Sequence, residues 1–351
     1  MRYIKEVLIA ILFLLPLSIF AEPATDNALR SYFAGTRTIS AIDSLINVYP
    51  DDYRFKYEKA VLVINQGDIT AGKKILDSLF LSGVQDEMLF QLLINVNIQV
   101  ENLAQADFVL DSALSCFPNS SKILLEKGYR LLDKEKKIDA IDFFEQGIYY
   151  DPNYSDNYYP LIESYSLLDI NLFAILHGEI FINSSSRDSL TLLASNKIYN
   201  TLKNAISSDF KNIKLTNREY DYAPNVVDTT NYDFEIASQQ IMKHSLNTLN
   251  KKALNYNFDF ICKLFEEFNN QWEKSIYSQK FKHPIYEYHK LLINNKLLKP
   301  YIYLIFSQGE PDNFKQYVLD NKTEFAKLVK FMSENPLQFT GCNIISRSFS
   351  Y

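Results

Sequence analysis

Small residues recur in this chain every 34 positions, and that period constrains the fold more than any other feature. Ala106, Ala140 and Ala174 come into register, with Gly72 one period earlier. Large residues recur four positions further on, small residues seven on and prolines twelve on: Leu76, Leu110 and Phe144; Ala113 and Gly147; Pro118 and Pro152. A fixed period of about 20 to 50 residues is typical of proteins that stack one supersecondary unit several times. The sequence therefore predicts a repeat architecture.

The small positions have a physical reason. Two antiparallel helices approach closely only where their facing side chains are small, and Gly128 lies twelve positions before Ala140. We expect these two residues to face each other, with Phe144 filling the space one turn later. Pro152 then ends the second helix, because proline has no N–H to donate and clashes with the preceding turn. Each period is thus predicted to be a hairpin of two helices.

Four such units are predicted, following a less regular hairpin from about Ala28 to Pro50: 53–86, 87–120, 121–154 and 155–188. Their order of small, large, small and proline positions resembles the tetratricopeptide repeat. The resemblance implies an all-α fold, a tetratricopeptide-type α-solenoid of helical hairpins followed by a smaller helical C-terminal domain. The chain departs from the repeat pattern at the early aromatic position of the first helix. Gly178 also stands in the fourth unit where a large residue is expected.

The first 21 residues have the layout of a secretory signal peptide. Arg2 and Lys5 precede a 15-residue apolar run from Val7 to Ala21, which contains Pro16. A membrane-spanning helix needs about 17 to 25 apolar residues, so this run is short for an anchor. We expect cleavage after Ala21 and a periplasmic or secreted mature protein without a stable membrane span.

The sequence predicts six segments. They are a signal peptide (1–21), an N-terminal capping hairpin (22–52), the repeat solenoid with a capping helix (53–208), a linker or short hairpin (209–233), a helical C-terminal domain (234–337) and a tail (338–351). Five large side chains in the C-terminal domain follow helical spacings of three and four: Phe258, Ile261, Phe265, Phe268 and Trp272. A stripe with this spacing is expected to pack in the core.

Most of the mature chain also resembles a wider group. The signal peptide, the stretch LHGEIFIN in the fourth unit and the aromatic-rich helical C-terminal region together resemble exported repeat proteins of Bacteroidetes. That group has no generally assigned activity. The resemblance therefore implies a fold, an exported location and a role in interaction.

Composition argues against several classes of function. The net charge of −6 does not suit a nucleic-acid partner. Only 9 glycines occur in 351 residues, whereas phosphate-binding loops need glycine at positive φ. Three widely spaced cysteines, Cys116, Cys262 and Cys342, are predicted to be isolated thiols and not a disulfide framework or a zinc site.

No constellation of catalytic residues is visible in the sequence. The four histidines, at positions 177, 244, 283 and 289, show no metal-ligand spacing, and no nucleophile elbow or phosphate loop occurs. His283 and His289 lie six apart, so we expect solvated or helix-capping roles for them. The sequence therefore predicts no enzymatic activity, no metal and no cofactor.

The tetratricopeptide resemblance implies a groove lined by the first helix of each hairpin. Eight residues take its contact positions and form the predicted groove set: Arg54, Tyr57, Gln91, Asn95, Tyr129, Asp133, Tyr159 and Glu163. Tyrosine and asparagine suit peptide recognition, so the expected partner is a peptide or a protein. Capture of a terminal carboxylate is not expected, because Arg54 is the only cation of the set, with Lys122 at its edge.

Two other functions stay open at the level of the sequence. One is a structural or assembly role in a cell-envelope complex. The other is an enzymatic activity in the C-terminal domain, since catalytic groups far apart in sequence are not recognisable without a structure. The identity of the partner and the oligomeric state do not follow from the sequence.

Overall fold

The computed structural model describes residues 23–35, 37–185, 189–216, 234–249 and 255–339. Within these ranges the chain is helical and contains no strand apart from an isolated antiparallel bridge between Ile206 and Ile213. The predicted all-α fold of helical hairpins is confirmed. The predicted signal peptide lies outside the described residues, as do 217–233 of the predicted linker and 340–351 of the predicted tail. The chain divides into two compact units: unit 1 comprises residues 1–109 and unit 2 comprises residues 110–351.

The described part of unit 1 contains five helices and the beginning of a sixth. They are α1 (Pro23–Ala34), α2 (Ile39–Val48), α3 (Tyr53–Asn65), α4 (Ile69–Leu81), α5 (Glu87–Gln99) and α6 (Leu103–Cys116), which continues into unit 2. Asp52, Asp68 and Asp86 cap α3, α4 and α5, each accepting a backbone N–H of the first turn. The helices of the first repeat, α3 and α4, pack against each other.

Unit 2 continues the hairpins and adds further helices. They are α7 (Ser121–Asp133), α8 (Lys137–Tyr150), α9 (Tyr158–Leu167), α10 (Asn171–Ser184), α11 (Ser189–Ala205), α12 (Phe234–Thr248), α13 (Phe258–Lys274), α14 (Tyr277–Lys280), α15 (Pro284–Asn294), α16 (Leu298–Ile305), α17 (Pro311–Asp320) and α18 (Lys322–Glu334). The pairs α7–α8 and α9–α10 form the third and fourth hairpins. A short 3₁₀ helix, Ser155–Asn157, precedes α9.

The helix bounds follow the predicted 34-residue register. The first helices of three hairpins begin at residues 53, 87 and 121, and the second helices of all four begin at 69, 103, 137 and 171. Ala106, Ala140 and Ala174 are fully buried. The register that the small residues predict is therefore the register of the helices.

Two glycines show what the repeat pattern achieves in packing. At Gly128, a Cβ would overlap the ring of Phe144, so the ring itself lies against the glycine. Gly178 in α10 replaces the large residue of the pattern because Ile198 of α11 occupies the space, and a Cβ at position 178 would overlap it. The departure of the fourth unit from the repeat pattern is thus explained by the helix that follows it.

Helix α10 lies at the centre of unit 2. Every residue from Asn171 to Phe181 is buried, because α9, α11, α12 and α15 all pack against this helix. The five residues of the predicted stripe in α13 are buried as well, so their role in the core is confirmed. One hydrophobic core extends from Leu125 to Leu328. The predicted boundary between the solenoid (53–208) and the C-terminal domain (234–337) stays a prediction.

The described part of the predicted linker forms a tight hairpin directly after α11. The Ser207 N–H donates to the Asn212 carbonyl at 2.9 Å, and the Lys214 N–H donates to the Ala205 carbonyl at 2.8 Å. The Leu215 N–H then donates to Oε1 of Gln239 in α12 at 2.6 Å. These bonds fix residues 213–215 to unit 2, with Ile213 and Leu215 buried and Lys214 exposed. No helix in the described ranges is long and apolar enough to cross a membrane.

Candidate functional site

The predicted groove set falls into two groups, one in each unit. In unit 1, Arg54 is held within the protein. Its guanidinium makes ion pairs with Asp26 of α1 at 2.7 Å and with Asp52 at 2.6 Å, and it donates to the hydroxyl of Thr25 at 2.9 Å. These two carboxylates neutralise the only cation of the set. Arg54 therefore joins α1 to α3, which does not favour the predicted contact with a partner.

Tyr57, on the next turn of α3, is half-buried. Its pKa is raised above the ordinary tyrosine range, first by burial and then by the charges of Glu58 and Asp86. The neighbouring Tyr53 donates its hydroxyl to Oδ2 of Asp86 at 3.0 Å. Tyr57 thus presents a neutral phenol beside an acidic group.

Gln91 and Asn95 lie one turn apart on α5 and differ in exposure. Gln91 is only 6% exposed, so its side chain belongs to the interior and not to the predicted groove surface. The asparagine is half-buried. Of the four predicted residues in unit 1, Gln91 is therefore buried, whereas Tyr57, Asn95 and the ion-paired Arg54 are partly exposed.

Unit 2 contributes a pair of tyrosines, Tyr129 on α7 and Tyr159 on α9. Each ring rests on an aromatic side chain of the second helix of its own hairpin. The Tyr129 ring lies 5.5 Å from Phe144, edge to face, and the Tyr159 ring lies 5.4 Å from Phe181. Both tyrosines are half-buried, so packing fixes one side of each ring and leaves part of it accessible.

The surroundings of Tyr129 are acidic. Its pKa is raised, first by burial and then by Glu126, Asp156 and Tyr159. The influence of Tyr159 and Asp156 on Tyr129 means that the two tyrosines and this aspartate share one electrostatic environment. Asp156 was not among the predicted groove residues, because this aspartate lies in the short 3₁₀ helix before α9, outside the repeat positions.

Asp133 and Glu163 complete the predicted set, and each has a basic neighbour. Asp133 is exposed and pairs with Nη1 of Arg130 at 3.0 Å. The side chain of Glu163 is 45% exposed, and its carboxylate pairs with Nζ of Lys197 in α11 at 2.9 Å. Both acids therefore lie at the surface with part of their charge compensated, and unit 2 offers tyrosines beside polar and acidic groups.

Three of the four histidines, at positions 177, 283 and 289, are buried together, which the sequence did not predict. His283 caps α15, its Nδ1 accepting the Ile285 N–H at 3.3 Å, so the capping role is confirmed. His283 and His289 are at most 1% exposed, so the expectation of a solvated or capping histidine is wrong for His289, which lies in the middle of α15. His289 Nε2 donates to Oε2 of the buried Glu179 at 2.8 Å. The six-residue spacing gave no sign of this, since Glu179 lies 110 positions away.

Metal-binding groups, cavities and thiols are the remaining features that could indicate a site in the described residues. No three His, Cys, Asp or Glu side chains in the described ranges come together in a group that could hold a metal ion. A small cavity beside Glu179 and His289 is lined almost entirely by apolar side chains and has room for about one water molecule. Cys116 and Cys262 are free thiols, and burial raises the pKa of the Cys262 thiol above its ordinary value.

Comparison with known proteins finds similarity among solved structures alone. No family model matches the chain, and no curated protein matches it. Among solved structures, the chain is similar to YrrB, described as "a TPR protein with an unusual peptide-binding site". The two are 16% identical, the match covers 49% of this chain and 84% of YrrB, and the TM-score is 0.35. The tetratricopeptide-like fold of this chain is assigned from its own 34-residue hairpin register.

Proposed function

We propose that the mature chain is an exported scaffold that binds a peptide or protein partner through the first helices of its repeats. The observation that carries this proposal is the tyrosine pair of unit 2. Tyr129 and Tyr159 are half-buried, and each ring is held by an aromatic neighbour within its own hairpin. A rigid, partly accessible aromatic side chain contributes contact area to a partner at low cost in conformational entropy.

The charges near these tyrosines favour a neutral or basic partner segment. Asp133, Asp156 and Glu163 are acidic and lie at the surface of unit 2. In unit 1, Asp26 and Asp52 already neutralise Arg54. A segment that ends in a free carboxylate would therefore meet no compensating cation among the predicted groove residues of either unit. An internal peptide segment suits this surface better than a C-terminal carboxylate.

A matched pair of double variants tests the proposal. Tyr129→Leu with Tyr159→Leu keeps apolar packing but removes the rings and hydroxyls from the first helices. Tyr149→Leu with Tyr150→Leu changes two tyrosines on α8 that are 58% and 45% exposed. Affinity is measured for a partner recovered from a cell-envelope extract. We expect the first variant to bind at least about tenfold more weakly, as for interface hot spots, and the second to bind like the wild type.

Equal binding by the wild type and Tyr129→Leu with Tyr159→Leu would exclude the tyrosine pair from the interface. Thermal unfolding of both double variants is the control for folding. Export is tested separately, by cell fractionation and by the mass of the mature chain. Cleavage after Ala21 gives a chain that begins at Glu22, whereas retention of residues 1–21 in the purified protein would contradict export by this route.

A further inference from the structure

Three buried histidines lie where the fourth repeat hairpin meets the C-terminal helices. His177 is on α10, and His283 and His289 are at the beginning and in the middle of α15, which packs against α10. None of the three is more than 1% exposed. Imidazole titrates near neutral pH, so its charge can change where most other side chains keep theirs. The response of this interface to acid therefore depends on the groups that surround each imidazole.

His289 has hydrogen-bond partners on both sides of its ring. Its Nε2 donates to Oε2 of Glu179 at 2.8 Å, and the hydroxyl of Tyr301 donates to the same oxygen at 3.2 Å. On the other side of the ring, Nδ2 of Asn269 approaches Nδ1 of His289 at 3.5 Å. His289 is thus paired with a side chain that is 0% exposed.

His177 has no such partner. Its Nδ1 lies 2.8 Å from the carbonyl oxygen of Phe173, and because a carbonyl only accepts, Nδ1 carries the hydrogen. Nε2 is then an acceptor, and it has no hydrogen-bond partner among the described residues. The rings of Tyr158, Tyr165 and Phe173 surround the imidazole.

In His283 the hydrogen is on the opposite ring nitrogen. Its Nδ1 accepts the Ile285 N–H, so Nε2 carries the hydrogen, and this donor also has no partner among the described residues. The ring stacks on Phe234 at 5.3 Å with an interplanar angle of 15°. Phe234 also stacks on Phe173 at 6.4 Å, so both imidazoles belong to one aromatic cluster.

Charged and titratable groups lie near this cluster on several helices, but none makes an ion pair with His177 or His283 among the described residues. They are Tyr158 and Tyr165 of α9, with Glu145 of α8 behind Tyr165; Glu179 of α10; Glu235 of α12; Tyr286 and His289 of α15; and Tyr301 of α16. Glu179 is engaged by His289 and Tyr301. Burial raises the pKa of Tyr158, Tyr286 and Tyr301, which keeps these phenols neutral.

The expected protonation follows from this geometry. Burial lowers the pKa of His177 to about 4. The pKa of His283 is lowered well below its ordinary value, first by burial and then by His177 and His289. Both groups are therefore neutral in the closed interface at a pH where a solvated histidine is charged.

We propose that the contact between α10 and α15 is an acid-labile latch, which opens when His177 and His283 take up protons and which His289 does not control. Well above about pH 6.5, His177 and His283 are neutral in both the opened and the closed state, and the latch is closed. As the pH falls below that value, the opened state binds protons that the closed state does not. Opening therefore becomes more favourable with each step down in pH, until the closed state is itself protonated.

The chain carries its own probe of this interface. Trp272 is the only tryptophan of the sequence and is 1% exposed. Its ring lies 5.8 Å from Phe234 and 4.7 Å from Tyr286, inside the same aromatic cluster. Opening the latch should shift Trp272 emission to the red. Far-UV circular dichroism, measured in parallel, reports the helices of the whole chain.

The experiment follows Trp272 emission in urea titrations of the mature chain at several pH values between about 6 and 5, above the range where ordinary carboxylates titrate. The slope of the logarithm of the opening constant against pH gives the number of protons taken up. We expect nearly two for the wild type and nearly none for His177→Phe with His283→Asn. Asparagine retains the capping acceptor at position 283.

Two further variants serve as controls. His244→Gln changes an exposed histidine on α12 and should leave the proton uptake unchanged. His289→Gln removes the partner of Glu179, so it should lower stability at every pH but keep the uptake near two. If the double variant does not fold, His283→Asn alone should take up one proton fewer than the wild type.

Three results would overturn the latch. One is an unchanged proton uptake in the His177 and His283 variants. Another is coincidence of the Trp272 and circular dichroism transitions in the wild type, which would indicate global unfolding in place of a local opening. The third is a loss of uptake in His289→Gln alone.

Discussion

The ring of Phe144 in α8 lies directly against the backbone of Gly128 in α7. The contact is so close that a Cβ at position 128 would overlap three atoms of the ring, and the ring is fully buried. Phe144 also supports Tyr129, the residue after the glycine. One contact therefore sets both the spacing of the third hairpin and the position of a residue in the proposed binding surface.

Gly128→Ala tests this contact. Alanine favours a helix over glycine by about 1 kcal/mol, but its methyl group would push Phe144 out of a filled site. We expect the packing cost to prevail and the free energy of unfolding, measured by urea denaturation, to fall by about 1 to 3 kcal/mol. Adding Phe144→Leu should recover part of the loss, as in a double-mutant cycle. A gain in stability for Gly128→Ala alone would show that the contact is loose.

Ala140→Leu tests the repeat register at the position that defines it. Ala140 is fully buried within the third hairpin, so a larger side chain must displace its neighbours. We expect the free energy of unfolding to fall by about 1 to 3 kcal/mol. Ile138→Leu on the same helix, at a residue that is 48% exposed, should change it by less than about 0.5 kcal/mol. Equal effects of the two substitutions would mean that the register is misplaced.

Arg54→Gln tests the tie between α1 and α3. The substitution removes a cation that is hydrogen-bonded to Asp26 and Asp52, and we expect a loss of about 1 to 2 kcal/mol in the free energy of unfolding, since the pair is partly exposed. Burial alone would raise the pKa of Asp52, but Arg54 outweighs it and holds that pKa below the ordinary 3.8. The stabilisation is therefore present above pH 3.8 and disappears as the pH falls through the lowered pKa.

The control for Arg54→Gln is an exposed ion pair. Lys211 pairs with Asp209 at 3.3 Å, and both side chains are more than half exposed. Solvent screens such a pair, so Lys211→Gln should leave the stability unchanged. A thermal unfolding curve of Arg54→Gln that matches the wild type at pH 7 would contradict the role of Arg54 as a link between helices.

Local sequence signals were enough to predict the hairpins. The small residues at 106, 140 and 174 gave the register, because close helix packing requires them wherever a hairpin recurs. The caps follow the same period: Asp52, Asp86 and Ser120 each accept an N–H of the first turn of the helix that follows. The stripe in α13 was equally clear, since its spacing shows which face is buried.

What the sequence did not predict depends on contacts between distant segments. His289 and Glu179 form a buried pair although 110 positions separate them. Gly178 departs from the repeat pattern because of Ile198, which belongs to the next helix. Arg54 and Gln91 took groove positions by analogy with the repeat, but Arg54 is engaged by Asp26 and Asp52, and Gln91 is buried. Periodicity places a residue on a helix, whereas exposure depends on what packs against that helix.

Site-specific photo-crosslinking tests the proposed function most directly. A benzophenone amino acid is placed at position 129 or 159 on the first helices, or at position 149 on α8, where Tyr149 is 58% exposed. The protein is then irradiated in cells, and crosslinked products are identified by mass spectrometry. We predict one shared partner crosslinked from positions 129 and 159 and none from 149. A partner crosslinked from position 149 alone would contradict binding through the first helices of the repeats.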